Sequence, residues 1–132
     1  MLPLRQLQLE TKMSVLFVTH NFGVVADLCD RVIVLYAGQI FEEADVFQLF
    51  DHPRNPYTKG LLLANPSNAQ PGQPLPIIPG RIPTIGSWPT NCRFAERCPY
   101  AVDECLAGPI SLLALESERK SRCIRVDDLQ KE

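Results

Sequence analysis

SVLFVTHNFGVVADLCDRVIVLYAGQIFEEADVFQLF, residues 14–50, is the stretch that decides the fold. Ser14–Thr19 is apolar and β-branched without alternation, the pattern of a strand covered on both faces within a parallel sheet. It stops at a polar corner, Thr19-His20-Asn21. From Phe22 to Asp30 the apolar residues Phe22, Val25, Ala26 and Cys29 fall at helical spacing, and Arg31–Tyr36 reads as a second strand. Ala37-Gly38 supplies a turn into Gln39–Glu43, giving a hairpin. Asp45 is placed to cap a short helix over Val46–Phe50, because its carboxylate can accept the unpaired amides of the first turn. The expected class is therefore α/β.

Outward from this stretch the texture changes on both sides. Upstream, Leu4–Thr11 has helix-forming residues but is short for a helix standing alone. Downstream, Pro56–Ala64 predicts one more helix with proline at its start. Asn65–Pro89 then holds seven prolines, a composition suited to an extended strap lying along a surface. The boundary falls near Asp51, dividing the chain into residues 1–50 and residues 51–132. The tail closes with a cysteine-rich region and a helical-looking Ile110–Lys120.

Composition limits what such a chain does. Its 132 residues are 45% hydrophobic and 21% charged, ordinary for a globular protein. A net charge of −2 argues against nonspecific binding to nucleic acid or to an anionic membrane, both of which favour a basic face. No apolar run approaches the roughly 20 residues that span a bilayer, so a membrane role would come through a partner. The opening MLPLRQLQLETKM lacks the basic region, apolar core and cleavage site of a secretory signal, which predicts a reducing, cytoplasmic setting.

In that setting Cys92, Cys98, Cys105 and Cys123 read as metal or cluster ligands in preference to disulfides. Their spacing, C-x5-C-x6-C-x17-C, lacks the C-x2-C pairs typical of zinc ribbons. If Pro99–Glu104 is helical, Cys98 and Cys105 stand two turns apart, roughly 10 Å by helical rise. One tetrahedral ion would strain to draw both in, whereas a cuboidal iron–sulfur cluster offers separated ligand positions. Iron–sulfur, zinc and free thiols remain the three alternatives at this point. Arg93, Arg97, Arg119, Lys120 and Arg122 lie beside the cysteines and would offset thiolate charge. Cys29, on the apolar side of its helix, reads as a structural thiol outside the set. Trp88, Phe94 and Tyr100 would either shield a bound group or form a small core, with core packing preferred for Phe94 and Tyr100.

His20 lies just beyond the C-terminal end of the first strand, where open α/β sheets place their ligands. An imidazole there can hydrogen-bond a phosphate or a catalytic water, or simply cap a strand end.

The motifs together resemble a known family. SVLFVTHN followed by a helix and then DRVIVLYAGQIFEE looks like the end of an ABC-type ATPase. HPRNPYTKGLL, GRIP, CRFAERCPYAVDEC and the later Arg122-Cys123 are similar to the C-terminal region of the ATP-binding subunits of oligopeptide, dipeptide and nickel importers. The resemblance runs from Ser14 to Arg125. It implies an ABC ATPase fragment followed by a small irregular cysteine-rich C-terminal domain. It implies that His20 is the switch-loop histidine that reaches the γ-phosphate of ATP held between two ATPase subunits. It also implies a [4Fe–4S] cluster on the four cysteines, with zinc the lesser alternative. Asn21 stands where members usually carry Asp, Ala44 where they carry Gly, and Asn55 where they carry the His of a His-Pro-Tyr signature. Asn55-Pro56 is also a helix-entry signal, with Tyr57 packing against the ATPase body.

The chain contains no Gly-Lys dipeptide of a phosphate loop, no LSGGQ-like signature and no apolar strand ending in Asp-Glu. ATP and Mg2+ are therefore expected only with an upstream part, and this chain alone should not hydrolyse ATP. The implied partners are a second ABC ATPase subunit and integral membrane permease subunits, with a peptide substrate met only indirectly and no nucleic acid. The implied location is the inner face of the cell membrane, through those partners. The implied function is to couple ATP binding and hydrolysis to peptide uptake. Two alternatives belong to other classes: a stand-alone non-catalytic iron–sulfur or metal-binding module, and a truncated remnant without function.

Overall fold

The computed structural model describes residues 2–131. It is a mixture of short helices and one small antiparallel sheet. α1 (Leu2–Thr11) and α2 (Phe22–Leu28) precede a hairpin of β1 (Arg31–Tyr36) and β2 (Gln39–Asp45). α3 (Val46–Asp51) and α4 (Pro56–Leu63) follow, then the proline-rich strap, α5 (Asp103–Leu106), β3 (Leu113–Ala114) and β4 (Lys120–Ser121). Strand order is β1-β2-β4-β3, so the sheet takes strands from both sides of residue 51.

Local chemistry explains most of these elements. The hairpin turns at Ala37 (φ 46°) and Gly38 (φ 79°), the two left-handed positions of a tight turn matched to strand twist. The β1–β2 register shifts between Val34 and Leu35, which leaves Phe41 as the extra residue on β2. Each of three helices starts on a side-chain cap: Asn21 for α2, Asp45 for α3 and Asn55 for α4, with Pro56 in the first turn of α4.

The core is aromatic. Tyr36, Phe41 and Phe94 are buried together, with Tyr57 and Ile78 packed on them. Tyr36 lies 4.6 Å from Tyr57, 5.0 Å from Phe41 and 5.3 Å from Phe94 between ring centroids, distances at which tilted rings attract beyond their buried area. Phe94 thus joins the core, while Tyr100 stays half-buried and accepts a hydrogen bond from Lys59 Nζ at 2.9 Å. The strap runs largely exposed from residue 69 and is tied at two places. Arg97 donates to the carbonyls of Ile78 and Pro79. Trp88 lies so close to Gly38 that an added Cβ would sit 2.7 Å from its ring.

Two expected elements differ. Ser14–Thr19 forms no strand, and Leu16 and Val18 are each 90% exposed. A covered parallel strand needs neighbours for its amides and carbonyls, and among the described residues no strand runs beside it. Ile110–Lys120 is not a helix either. Ser117 (φ 57°) and Glu118 (φ 58°) reverse the chain in the left-handed region, so Leu113–Ala114 and Lys120–Ser121 pair as a short hairpin added to β2.

Candidate functional site

His20 is exposed at a bend, one residue before the cap of α2. The corner is built by short side chains: Asn21 N–H donates to Thr19 Oγ1 at 3.0 Å, and Asn21 Oδ1 accepts from Gly23 and Val24. The amide side chain of Asn21 therefore serves as the helix cap. No ionisable group that the structure describes is hydrogen-bonded to the imidazole. Cys29 is the C-cap residue of α2, half-buried and away from the other cysteines' pocket.

The four remaining cysteines arrive from two directions. Cys92, Cys98 and Cys105 ride on one loop, which closes where Cys92 N–H donates to the Cys105 carbonyl at 3.1 Å. Pro99 and Tyr100 form a turn and α5 covers only Asp103–Leu106, so Pro99–Glu104 is not one helix and the two-turn spacing conditional on it does not apply. Cys123 comes instead from the end of β4. All four line one pocket, walled by Phe41, Phe94, Ile110 and the stem of Arg122. Its enclosed space is about 20 Å³, room for a single water.

Burial dominates three of the thiols, those of Cys92, Cys98 and Cys123. It raises Cys92 above its ordinary value of 9.0, pushes Cys98 up to about 11 and Cys123 up to about 12, with the neighbouring thiols adding to the effect. Backbone amides pull the other way: Phe94 and Ala95 toward Cys92, Tyr100 toward Cys98, and Arg125 toward Cys123, where N–H to Sγ is 3.2 Å. Without a bound cation these thiols are neutral at pH 7, while the amides are already aimed to favour thiolates once positive charge is supplied. Among the described residues no three His, Cys, Asp or Glu side chains are grouped around a single point as one ion requires. The donor set is thus four sulfurs around a pocket, with hydrogen-bond donors behind three of them. The space as it stands holds one water and no cluster, so the fit to a cluster rests on the sulfur donor set alone.

The flanking cations are differently employed. Arg122 lines the pocket, joined by Arg125, which sequence spacing did not single out. Arg93 stacks on Trp88 at 4.2 Å, Arg97 holds the strap, and Arg119 is buried against Glu42 at 3.0 Å. Glu42 sits on the central strand with no solvent exposure. Burial raises its carboxyl above 4.5, opposed by the Arg54 amide (2.8 Å), Thr58 and Arg119. Arg119 also donates to the His52 carbonyl at 2.6 Å.

Asn55 is the second residue whose role the sequence understated. Its Oδ1 accepts from Tyr57 N–H at 3.0 Å as the α4 cap. Its Nδ2 reaches the Phe41 carbonyl at 3.0 Å, and Ser121 Oγ and the Arg122 carbonyl at 3.4 Å. Only the cap was legible, as an Asn-Pro dipeptide.

Comparison with known proteins gives the family. Residues 41–105 match the family described as oligopeptide/dipeptide transporter, C-terminal region. A protein of Brucella ovis named as a peptide import ATP-binding protein is 42% identical over 96% of this chain and 39% of its own length. The oligopeptide transport ATP-binding protein AppD of Bacillus subtilis is 44% identical over 87% of this chain and 35% of its own length. A peptide import ATP-binding protein of Brucella abortus is 42% identical over 91% of this chain and 36% of its own. The chain spans about two fifths of the length of these relatives.

Proposed function

Because the chain belongs to the oligopeptide/dipeptide transporter family of ATP-binding proteins, we propose that it works as the C-terminal part of an ATP-binding subunit of a peptide importer. The observation that carries this reading is the identity with peptide import ATP-binding proteins over 96% of the chain. The exposed apolar 14–19 segment supports it, since exposed apolar side chains of this kind are suited to burial against a partner surface. In the assembled subunit His20 donates a hydrogen bond to the γ-phosphate of Mg2+-bound ATP at the interface with a second ATPase subunit. Permease subunits carry the peptide, and the described residues contain no helix long and apolar enough to cross a membrane. The subunit thus sits on the inner membrane face through those partners.

The same reading places a [4Fe–4S] cluster on Cys92, Cys98, Cys105 and Cys123. A cluster held there by these cysteines would supply a fixed cross-link among the four sulfurs and a site able to accept or release an electron. The residues around it would shield it with Phe41 and Phe94 and direct amides at its thiolates. The 92–105 loop would have to move outward to make room, since the pocket now holds a single water.

The test is a chimera in which this chain replaces the matching C-terminal part of the Bacillus subtilis oligopeptide transport ATP-binding protein. Retained ATP-driven peptide uptake, with His20→Ala slowing hydrolysis by about 100-fold, supports the reading. A chimera that assembles at normal levels yet hydrolyses no ATP overturns it.

A further inference from the structure

Three cysteines of the pocket share one loop, but the fourth is delivered by a different part of the fold. Cys123 follows β4, which pairs with β2 through only two residue pairs, Glu42 with Ser121 and Glu43 with Lys120. Two pairs are a weak hold for a strand. Beyond them the chain is held by one more backbone hydrogen bond, Arg122 N–H to the Phe41 carbonyl at 2.8 Å, by Arg122 Nε donating to the Ile40 carbonyl at 2.9 Å, and by a side chain that touches every party. Asn55, 1% exposed, caps α4 with its oxygen and spends its amide nitrogen on Phe41 of β2, on Ser121 of β4 and on the Arg122 carbonyl, next to Cys123. Ser121 returns a hydrogen bond to the Arg54 carbonyl at 2.8 Å, and Asn55 itself lines the thiol pocket.

We propose that Asn55 is a positioning residue for Cys123, clamping the end of β4 onto the sheet so that the fourth thiol faces the other three. The clamp works through Nδ2, whereas the helix cap works through Oδ1, so the two roles separate by substitution. Serine keeps a capping oxygen but is too short to reach β4. The coupling is reciprocal by linkage: whatever bridges Cys123 to the loop thiols also holds β4 to β2. This inference rests on the cysteine pocket being a ligand site, as proposed above, and its first readout needs no metal.

The experiment is timed alkylation of the reduced, metal-free full chain with iodoacetamide, with each cysteine read by peptide mass spectrometry. In Asn55→Ser, Cys123 is expected to react about tenfold faster than in the unaltered chain, with Cys98 and Cys105 unchanged and helix content retained. Ser121→Ala, which removes one arm of the clamp and leaves the cap intact, is expected to show a smaller selective rise at Cys123. An unchanged Cys123 rate in both variants, or equal acceleration at all four cysteines in both, overturns the proposal. Anaerobic reconstitution with iron and sulfide then separates this inference from the cluster reading. If the unaltered chain gains the four-thiolate absorption, Asn55→Ser is expected to show that of Cys123→Ser. If the unaltered chain gains none, the cluster reading fails while the alkylation result for Asn55 stands.

Discussion

Residues 14–30 and the hub around β2 have similar apolar content but opposite fates. In the first, Leu16 and Val18 face solvent and no ladder forms. In the second, Phe41 and Glu42 are adjacent and both buried, one among aromatic rings and the other against Arg119. β2 has a partner on each edge, β1 and β4, and helices against it, whereas among the described residues no strand pairs with the 14–19 segment. The difference teaches that hydrophobicity sets which side chains seek burial, while backbone pairing decides where burial can happen.

The comparison breaks most readily in the hub. Phe94→Ala removes the ring that touches Tyr36 and Tyr57, and urea unfolding should show a loss of about 4 kcal/mol. A loss no larger than that of a surface change would mean the aromatic cluster is not the core. Next comes the buried pair. Glu42→Ala strands Arg119 without its carboxylate and should cost about 3 kcal/mol, much of it recovered when Arg119→Met is added. If the double variant is no better than Glu42→Ala alone, the two side chains are not paired in solution.

The thiol pocket gives a smaller, pH-dependent effect. Thiols raised by folding favour the folded chain while they stay protonated. In the metal-free protein, stability should therefore hold below pH 9 and fall as pH rises from 9 toward 11–12, the range in which unfolded thiols ionise and folded Cys98 and Cys123 lag behind. Cys98→Ser and Cys123→Ser should each flatten that fall in denaturation curves taken between pH 8 and 11. An identical pH profile in the variants would remove these thiols as its source. The smallest effect is expected at the other pole: Leu16→Lys should change stability by less than about 0.5 kcal/mol in this chain. In the chimera the same change should abolish uptake, which would show the segment becoming a buried strand once neighbours are present.

Legibility followed the range of the interactions. Caps act across two or three residues, so Asp45 and the Asn55-Pro56 start of α4 could be read directly, as could the Ala37-Gly38 turn. The 14–19 pattern is apolar and unalternating, but a strand needs a second segment to pair with, and among the described residues none lies beside it. Ile110–Lys120 failed for a related reason: β4 is held by β2, some 77 residues earlier, and by Asn55, neither visible in the local pattern. That four cysteines line one pocket is not visible in their spacing, because the loop between Cys98 and Cys105 turns at Pro99 and Tyr100 before α5 begins. Arg125 escaped notice because its contribution at Cys123 comes from the backbone amide, which every residue but proline owns.

The indole wedged on Gly38 has a use of its own. Trp88 is the only tryptophan in the chain, and it sits where the proline strap meets the hairpin turn, beneath the Arg93 guanidinium. Its fluorescence is therefore a built-in, label-free gauge of whether the strap is seated. The emission maximum should move to longer wavelength when the strap lifts, well before the aromatic core melts, allowing the two events to be timed separately in a single stopped-flow trace.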